Sequence, residues 1–235
     1  MTVRIRRVTT TRAGGVSAPP FDTFNMGDHV GDEPASVAAN RERLAAAIGL
    51  PPDRVVWMNQ VHSDRVVTVT EPRTDPIDDT DALVTNIPQL ALAVVTADCV
   101  PVLMSDARAG VVAAAHAGRV GAADGIVLRT LEEMLAAGAH TEDISVLLGP
   151  AVSGPNYEVP EDMAADIEAR LPGSRTTTAG GTPGLDLRAG ITRQLNDAGI
   201  TAVDTDPRCT VADLDLFSHR RDAPTGRLAS LVWME

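Results

Sequence analysis

Three apolar runs packed into residues 90–116 constrain this chain more than any other feature of it. LALAVVTA (90–97), VPVLM (100–104) and VVAAA (111–115) are interrupted only by Asp98-Cys99 and by SDARAG (105–110). Each run is far too short to span a bilayer. Rich in valine and bounded by turn formers, each has the pattern of a strand buried on both faces. Such strands need a covering layer on either side, so the chain has to build a layered structure. Aromatic residues make up only 3% of it, and the layers must therefore be filled by Ala, Val, Leu and Ile.

The remaining segments supply covering helices. Residues 33–50 read as a helix with Asp32 as N-cap, Pro34 in the first turn, an apolar stripe through Val37, Leu44 and Ile48, and a stop at Gly49. Arg41 projects from its middle. Two short β-rich runs, 55–58 and 65–70, flank NQVHSD and place His62 in a connection between strands. The proline-broken stretch 71–81 reads as a surface loop. Beyond His116, Gly118 and Gly121 permit a tight turn, and Ile126, Val127, Leu131, Met134 and Leu135 form a helical stripe ending at Gly138. A strand is expected at 144–148, a helix at 161–171, and a flexible loop at 172–184. A last helix opens at Asp186, carries Leu187, Ile191 and Leu195, and ends at Gly199. Alternating strands and helices imply an α/β (α+β) fold in layers. No linker or repeat divides the chain, so one domain over 1–235 is expected.

A formal net charge of −12 over 235 residues opposes binding to nucleic acid or to an anionic membrane surface. A small-molecule substrate is favoured. The basic start MTVRIRRVTTTRAGG is not followed by the apolar stretch of a signal peptide, which points to the cytoplasm. Two cysteines make no disulfide framework, and in a reducing compartment both stay thiols.

Each of three potential metal ligands sits just past or between apolar runs: His62 in QVH, Cys99 in ADCVPVL and His116 in HAG. Two imidazoles and a thiolate can hold zinc with a fourth position open, the mark of a catalytic rather than a structural site. Their separations, 37 and 17 residues, match no compact zinc finger. Cys99 can equally act as a nucleophile activated by His116 or His62, and the sequence does not separate ligand from nucleophile. His29, His140 and His219 read as structural histidines. So does Cys209, which has no second cysteine or histidine close by.

The strings TTRAGGVS, FNMGDHVGD, ANRERLAAAIGL, NQVH, DALVT, ADCVPVLMSD, AAHAG, GPAVSGPNYEV and CT…FSHRRD…TGR, in that order, resemble the YfiH family. Its members are also called laccase-domain, polyphenol oxidase or peptidoglycan editing factor proteins, and include purine nucleoside phosphorylases of the FAMIN type. The resemblance implies a layered α/β sandwich with mixed β-sheets and a zinc ion on His62, Cys99 and His116. It further implies a nucleoside pocket using Asn25 of FNMG and Arg41 of ANRER. The implied activity is phosphorolysis of adenosine, inosine and guanosine, with adenosine deamination and methylthioadenosine phosphorolysis at the same site; the partners are a purine nucleoside and phosphate. Zinc would activate water toward C6 of adenine, while Arg41 and N–H groups after His116 would position phosphate. One departure stands out: the family commonly reads HAGWRG, whereas this chain reads HAGRVG, with Arg119 and Val120 in place of Trp and Arg. A milder one is His219, where the family often has Tyr.

Two rival activities follow from the family's other names. A copper-dependent polyphenol oxidoreductase would also use two His and one Cys with Cu2+, but a multicopper cluster demands more imidazoles than five histidines provide. A cytosolic amidase editing peptidoglycan precursors would need a wide groove instead of a nucleoside-sized pocket.

Overall fold

Strand parity decides the layering. In strand β6 (Val100–Asp106), Val102 and Met104 point to one side and Leu103 to the other; in β7 (Val111–Ala117), Val111, Ala113 and Ala115 oppose Val112 and Ala114. Every one of these side chains is buried, because both faces of the sheet are covered. A computed structural model describes residues 2–235. It places the two strands at the centre of a six-stranded mixed sheet with β3 (Val66–Thr68), β4 (Ala82–Thr85), β8 (Ile144–Leu148) and β11 (Ala202–Thr205), in the order β11-β8-β6-β7-β4-β3. The outer pairs β11·β8 and β3·β4 are parallel and the inner ones antiparallel.

A second sheet of four strands has the order β1-β12-β5-β2, formed by β1 (Ile5–Thr9), β2 (Val55–Val56), β5 (Ala91–Thr96) and β12 (Leu228–Met234). Here too parity sorts the side chains. Leu92 and Val94 of β5 face Leu103, Val112 and Ala114 across the gap between the sheets, whereas Ala91, Ala93 and Val95 face outward onto helix α1 (Pro34–Ile48) through Leu44 and Ala45. The far side of the larger sheet is covered by α2 (Arg119–Asp124), α3 (Ile126–Ala136), α4 (Glu161–Arg170) and α5 (Leu187–Asp197), whose Ile126, Met134, Ile167 and Ile191 join one continuous core. The result is a helix–sheet–sheet–helix sandwich, as the apolar runs require. Among the described residues, no helix is long and apolar enough to cross a membrane.

Three local expectations are corrected. The N-cap of α1 is Glu33, not Asp32, because the Asp32 carboxylate instead accepts hydrogen bonds from the Asn25 amide and the Glu33 N–H. The tight turn expected at Gly118 and Gly121 is instead the short helix α2, which Gly125, with a φ of 91°, ends before the expected helix α3 begins. The expected loop at 172–184 contains a hairpin of β9 (Arg175–Thr177) and β10 (Pro183–Leu185). Thr178 and Thr182 close its turn, N–H to carbonyl at 2.9 Å and hydroxyl to hydroxyl at 2.6 Å, and Leu185 is fully buried. Glu168 of α4 anchors the hairpin by accepting from the Gly173 and Arg175 N–H groups.

Candidate metal centre and its cavity

The three proposed ligands converge where the chain crosses between sheets. The connection from β2 to β3 leaves the four-stranded sheet for the six-stranded one and carries His62; the turn from β5 to β6 makes the same crossing and carries Cys99; His116 stands near the end of β7. Their ligand atoms all lie within 4.8 Å of one another, a group that can hold a metal ion. Cys99 Sγ is 3.8 Å from His62 Nε2, and the two imidazole rings meet edge to face with centroids 4.7 Å apart.

The backbone is bent to bring this about. His62 and Asp98 adopt φ values of 62° and 102°, a left-handed conformation that costs about 1–3 kcal/mol for a residue with a side chain. Gly118 makes the closest approach. A Cβ there would lie 2.7 Å from His62 Cδ2 and 3.0 Å from Cys99 Sγ, so the glycine of HAG leaves the room in which the two ligands meet.

Asp81 holds the arrangement together. Its carboxylate is fully buried and accepts five hydrogen bonds: Oδ1 from His116 Nδ1 (2.8 Å) and the His62 N–H (3.0 Å), Oδ2 from the Val61 N–H (3.2 Å), the Ser63 N–H (2.7 Å) and the Ser63 hydroxyl (2.8 Å). Burial by itself would raise its pKa, but the bonds from His116 and Ser63 outweigh that and hold it at about 2. One anion therefore fixes the His116 ring, with Nε2 left for a ligand, and the strained loop of His62. A carboxylate behind a ligating histidine is the usual means of setting its tautomer and direction.

Cys99 and His116 polarise each other in the absence of an ion. Burial opposes charge on both, yet the nearby imidazoles lower the Cys99 thiol to about 6, and the thiolate together with Asp81 raises His116 to about 9. Between those values the pair is thiolate and imidazolium, and a metal ion entering the group displaces a proton from His116.

This group floors a cavity of about 340 Å³. Its walls hold Arg119, Arg220 and Arg227, together with Tyr157, His29 and His219. The Arg220 guanidinium lies 5.1 Å from the centre of the Tyr157 ring. Arg119, the residue that departs from the common family pattern, faces the cavity, while its neighbour Val120 is not part of the wall and is 39% exposed. His29 and His219, read from the sequence as structural, border the cavity; His140 lies on another surface.

Two residues implied by the resemblance lie elsewhere. Arg41 donates to the Met26 carbonyl through Nε (3.0 Å) and Nη2 (2.8 Å), pairs with Asp28 at 3.2 Å and stacks 4.2 Å over the Trp57 ring. It borders a separate cleft with Asp28 and Trp57 and not the wall above Cys99. Asn25 is fully buried and all its bonds are internal: it donates to Gly27 O and Asp32 and accepts from the Gly27 and Arg227 N–H groups. Its link to the cavity is indirect, through the backbone of Arg227. Sequence reasoning missed Asp81, Asp98, Tyr157, Arg220 and Arg227, although all five lie in strings that carry the resemblance. Cys209 is a partly exposed free thiol that accepts weakly from the Ser153 N–H and the Asn156 amide.

A family model described as multi-copper polyphenol oxidoreductase laccase matches residues 6–235. The chain belongs to this laccase-like, YfiH-type family. Among curated family relatives, a purine nucleoside phosphorylase of Mycobacterium tuberculosis is 75% identical over 235 residues, covering 100% of this chain and 94% of that protein. A purine nucleoside phosphorylase of Corynebacterium glutamicum is 56% identical over 232 residues, covering 98% of this chain and 94% of the relative. The crystal structure of the Bacillus licheniformis hypothetical protein YfiH superposes with a TM-score of 0.92 at 32% identity, covering 98% of this chain and 93% of that one. The YfiH fold expected from the motifs is therefore the fold observed.

Proposed function

We propose that this chain is a zinc-dependent purine nucleoside phosphorylase acting on adenosine, inosine and guanosine, with adenosine deaminase and methylthioadenosine phosphorylase activity at the same site. The relatives' names support the reaction class. The observation that carries it is the composition of one cavity: a His, Cys, His donor group beneath three guanidinium groups, in a chain whose net charge is −12. Cations concentrated there against the overall sign of the molecule suit a small anion such as phosphate. The cavity is at the lower end of small-molecule sites, about 300–1,000 Å³, a size that favours a nucleoside over a peptidoglycan strand.

In this reading Arg119, Arg220 and Arg227 bind phosphate and turn one oxygen toward C1′ of the ribose. A bond forms between that oxygen and C1′ as the bond from C1′ to the purine nitrogen breaks, and the base leaves with the bonding electron pair and takes up a proton. Arginines in a partly desolvated pocket stabilise the phosphate more than the same charges in water do. Asp81 keeps His116 and the His62 loop in register beneath the substrate. An ion on His62, Cys99 and His116 supplies Lewis-acid chemistry there. The donor set suits zinc.

The test is to determine the metal content of the purified protein and incubate it with adenosine or inosine, with and without phosphate. Free base and ribose 1-phosphate formed only with phosphate are expected, and inosine from adenosine would add deamination. If neither product forms with zinc-loaded protein, the reading is wrong.

A further inference from the structure

The turn that presents Cys99 also carries an acidic side chain at the edge of the cavity, bonded to none of the donor group. Asp98 Oδ1 accepts from the Thr210 hydroxyl (2.6 Å) and the Ser218 hydroxyl (2.7 Å), and Oδ2 accepts from the Arg220 N–H (2.6 Å). Its carbonyl accepts from the Val152 N–H at 3.0 Å. Thr210 and Ser218 are fully buried. Four connections from three parts of the chain thus end on one residue, and that residue holds a φ of 102° to receive them.

What Asp98 grips is the segment that brings Arg220 to the cavity. Ser218 is the N-cap of the one-turn helix α6 (His219–Asp222); its oxygen accepts from the Arg221 N–H at 3.2 Å while its hydroxyl proton goes to Asp98. The preceding loop is wound around the Arg221 guanidinium, which donates to the carbonyls of Thr210, Val211, Asp213 and Leu216 at 2.7–3.1 Å. Arg221 therefore stiffens the segment internally, and Asp98 fastens it to the turn of Cys99. The residue just before it, Arg220, has its own N–H on the Asp98 carboxylate and its guanidinium over Tyr157 in the cavity wall.

We infer that Asp98 is a positioning residue for oxyanion binding: it sets the distance between the donor group and the Arg220 guanidinium, so that a phosphate-like tetrahedral anion can reach both the arginine and the reacting carbon. The identity of the anion rests on the phosphorolytic reading above. Asp98 touches neither substrate nor ion in this role; it acts through Arg220. A fold-only role would lower stability without selecting phosphate. The positioning role instead predicts weaker phosphate affinity with the donor group unaltered.

The experiment is a double-mutant cycle on metal-loaded protein, with inorganic phosphate as the titrant in calorimetry and cobalt substituted for the native ion to report the donor group by its thiolate absorption. Asp98→Asn offers one acceptor oxygen where two were used, so an amide NH2 must face either two hydroxyls or the Arg220 N–H. Phosphate affinity should fall about tenfold, the size expected for losing a well-placed charge-assisted contact, with the cobalt spectrum retained and KM for phosphate raised more than kcat is lowered. Arg220→Ala should lose at least as much, and Asp98→Asn should then cost almost nothing further in the Arg220→Ala background. Should Asp98→Asn not fold, Ser218→Ala removes one arm of the same grip and takes its place in the cycle. Additive losses, unchanged phosphate affinity in Asp98→Asn, or no phosphate binding by the wild type would each overturn the inference. Phosphate binding that depends on Asp98 without release of base would leave it standing and sink only the phosphorylase reading.

Discussion

Replacing Asp81 by Asn removes one negative charge and one acceptor from the most connected buried group in the site. The five donors divide as two on Oδ1 and three on Oδ2. Turned one way, its NH2 opposes the Val61 and Ser63 N–H groups; turned the other, it opposes the His62 N–H and bonds His116 only if Nδ1 gives up its proton and accepts. Leaving a buried donor unsatisfied costs about 1–3 kcal/mol, and loss of the carboxylate's attraction for the His116 imidazolium adds to it, which brings the total to the range of about 3–5 kcal/mol for breaking a buried ion pair. For a chain of this length each kcal/mol lowers the melting temperature by about 2–4 °C. A drop of about 6–20 °C in the metal-free protein is therefore expected. Metal affinity should fall about 10- to 100-fold, the usual cost of losing the carboxylate behind a ligating histidine. Thermal melts with and without chelator, and zinc competition against a chromophoric chelator, measure both quantities. A variant that melts within about 2 °C of the wild type and binds zinc equally well would refute the claim that Asp81 organises the site.

Gly118→Ala puts a methyl group 2.7 Å from His62 Cδ2 and 3.0 Å from Cys99 Sγ; metal affinity should fall at least about tenfold while far-ultraviolet circular dichroism stays native, and undiminished affinity would show that the ligands have room to spare. In metal-free protein, alkylation of Cys99 by iodoacetamide should rise with a midpoint near pH 6 in place of the ordinary thiol value of 9.0, and His116→Ala should shift it upward; a midpoint near 9 in wild type would remove the ion pair. The sign of the linked stability follows: the Cys99 contribution is present above the ordinary thiol value and is lost as pH falls through about 6, and the His116 contribution is present below 6.5 and is lost as pH rises through about 9. Arg41→Ala loses two hydrogen bonds and the stacking on Trp57, so it should destabilise the fold by about 1–3 kcal/mol and leave KM for nucleoside and phosphate unchanged. A raised KM at unchanged stability would return Arg41 to the substrate site.

Much of the fold was legible because burial on both faces leaves a pattern no other environment produces. The runs at 90–116 became β5, β6 and β7, and the stripes with glycine stops became α1, α3 and α5, within a residue or two of their expected ends. The hairpin at 175–185 escaped notice because its strands are three residues long and its buried positions are threonine, glycine and a single leucine. The donor group was legible as residue types in motifs, although no spacing rule joins ligands 37 and 17 residues apart. Asp81 was hidden for a related reason. It ends a polar stretch that reads as a surface loop, and only the packing of β4 against β7, which draws the His116 N–H onto the Asp81 carbonyl, reveals that it lies inside. Arg41 shows the opposite case: the motif gives a cation on a helix, but not that a carbonyl, a carboxylate and an indole ring lie around it, outside the cavity above Cys99.

Two of the three ligands ride on segments that pass from one sheet of the sandwich to the other. An ion clasped by them would work as a rivet through the layers, resisting any sliding of one sheet over its neighbour. Changes to the dry interior between the sheets, at Leu92 or Leu103 for instance, should then loosen the rivet from a distance, and loading it should stiffen layers that make no contact with the ion at all.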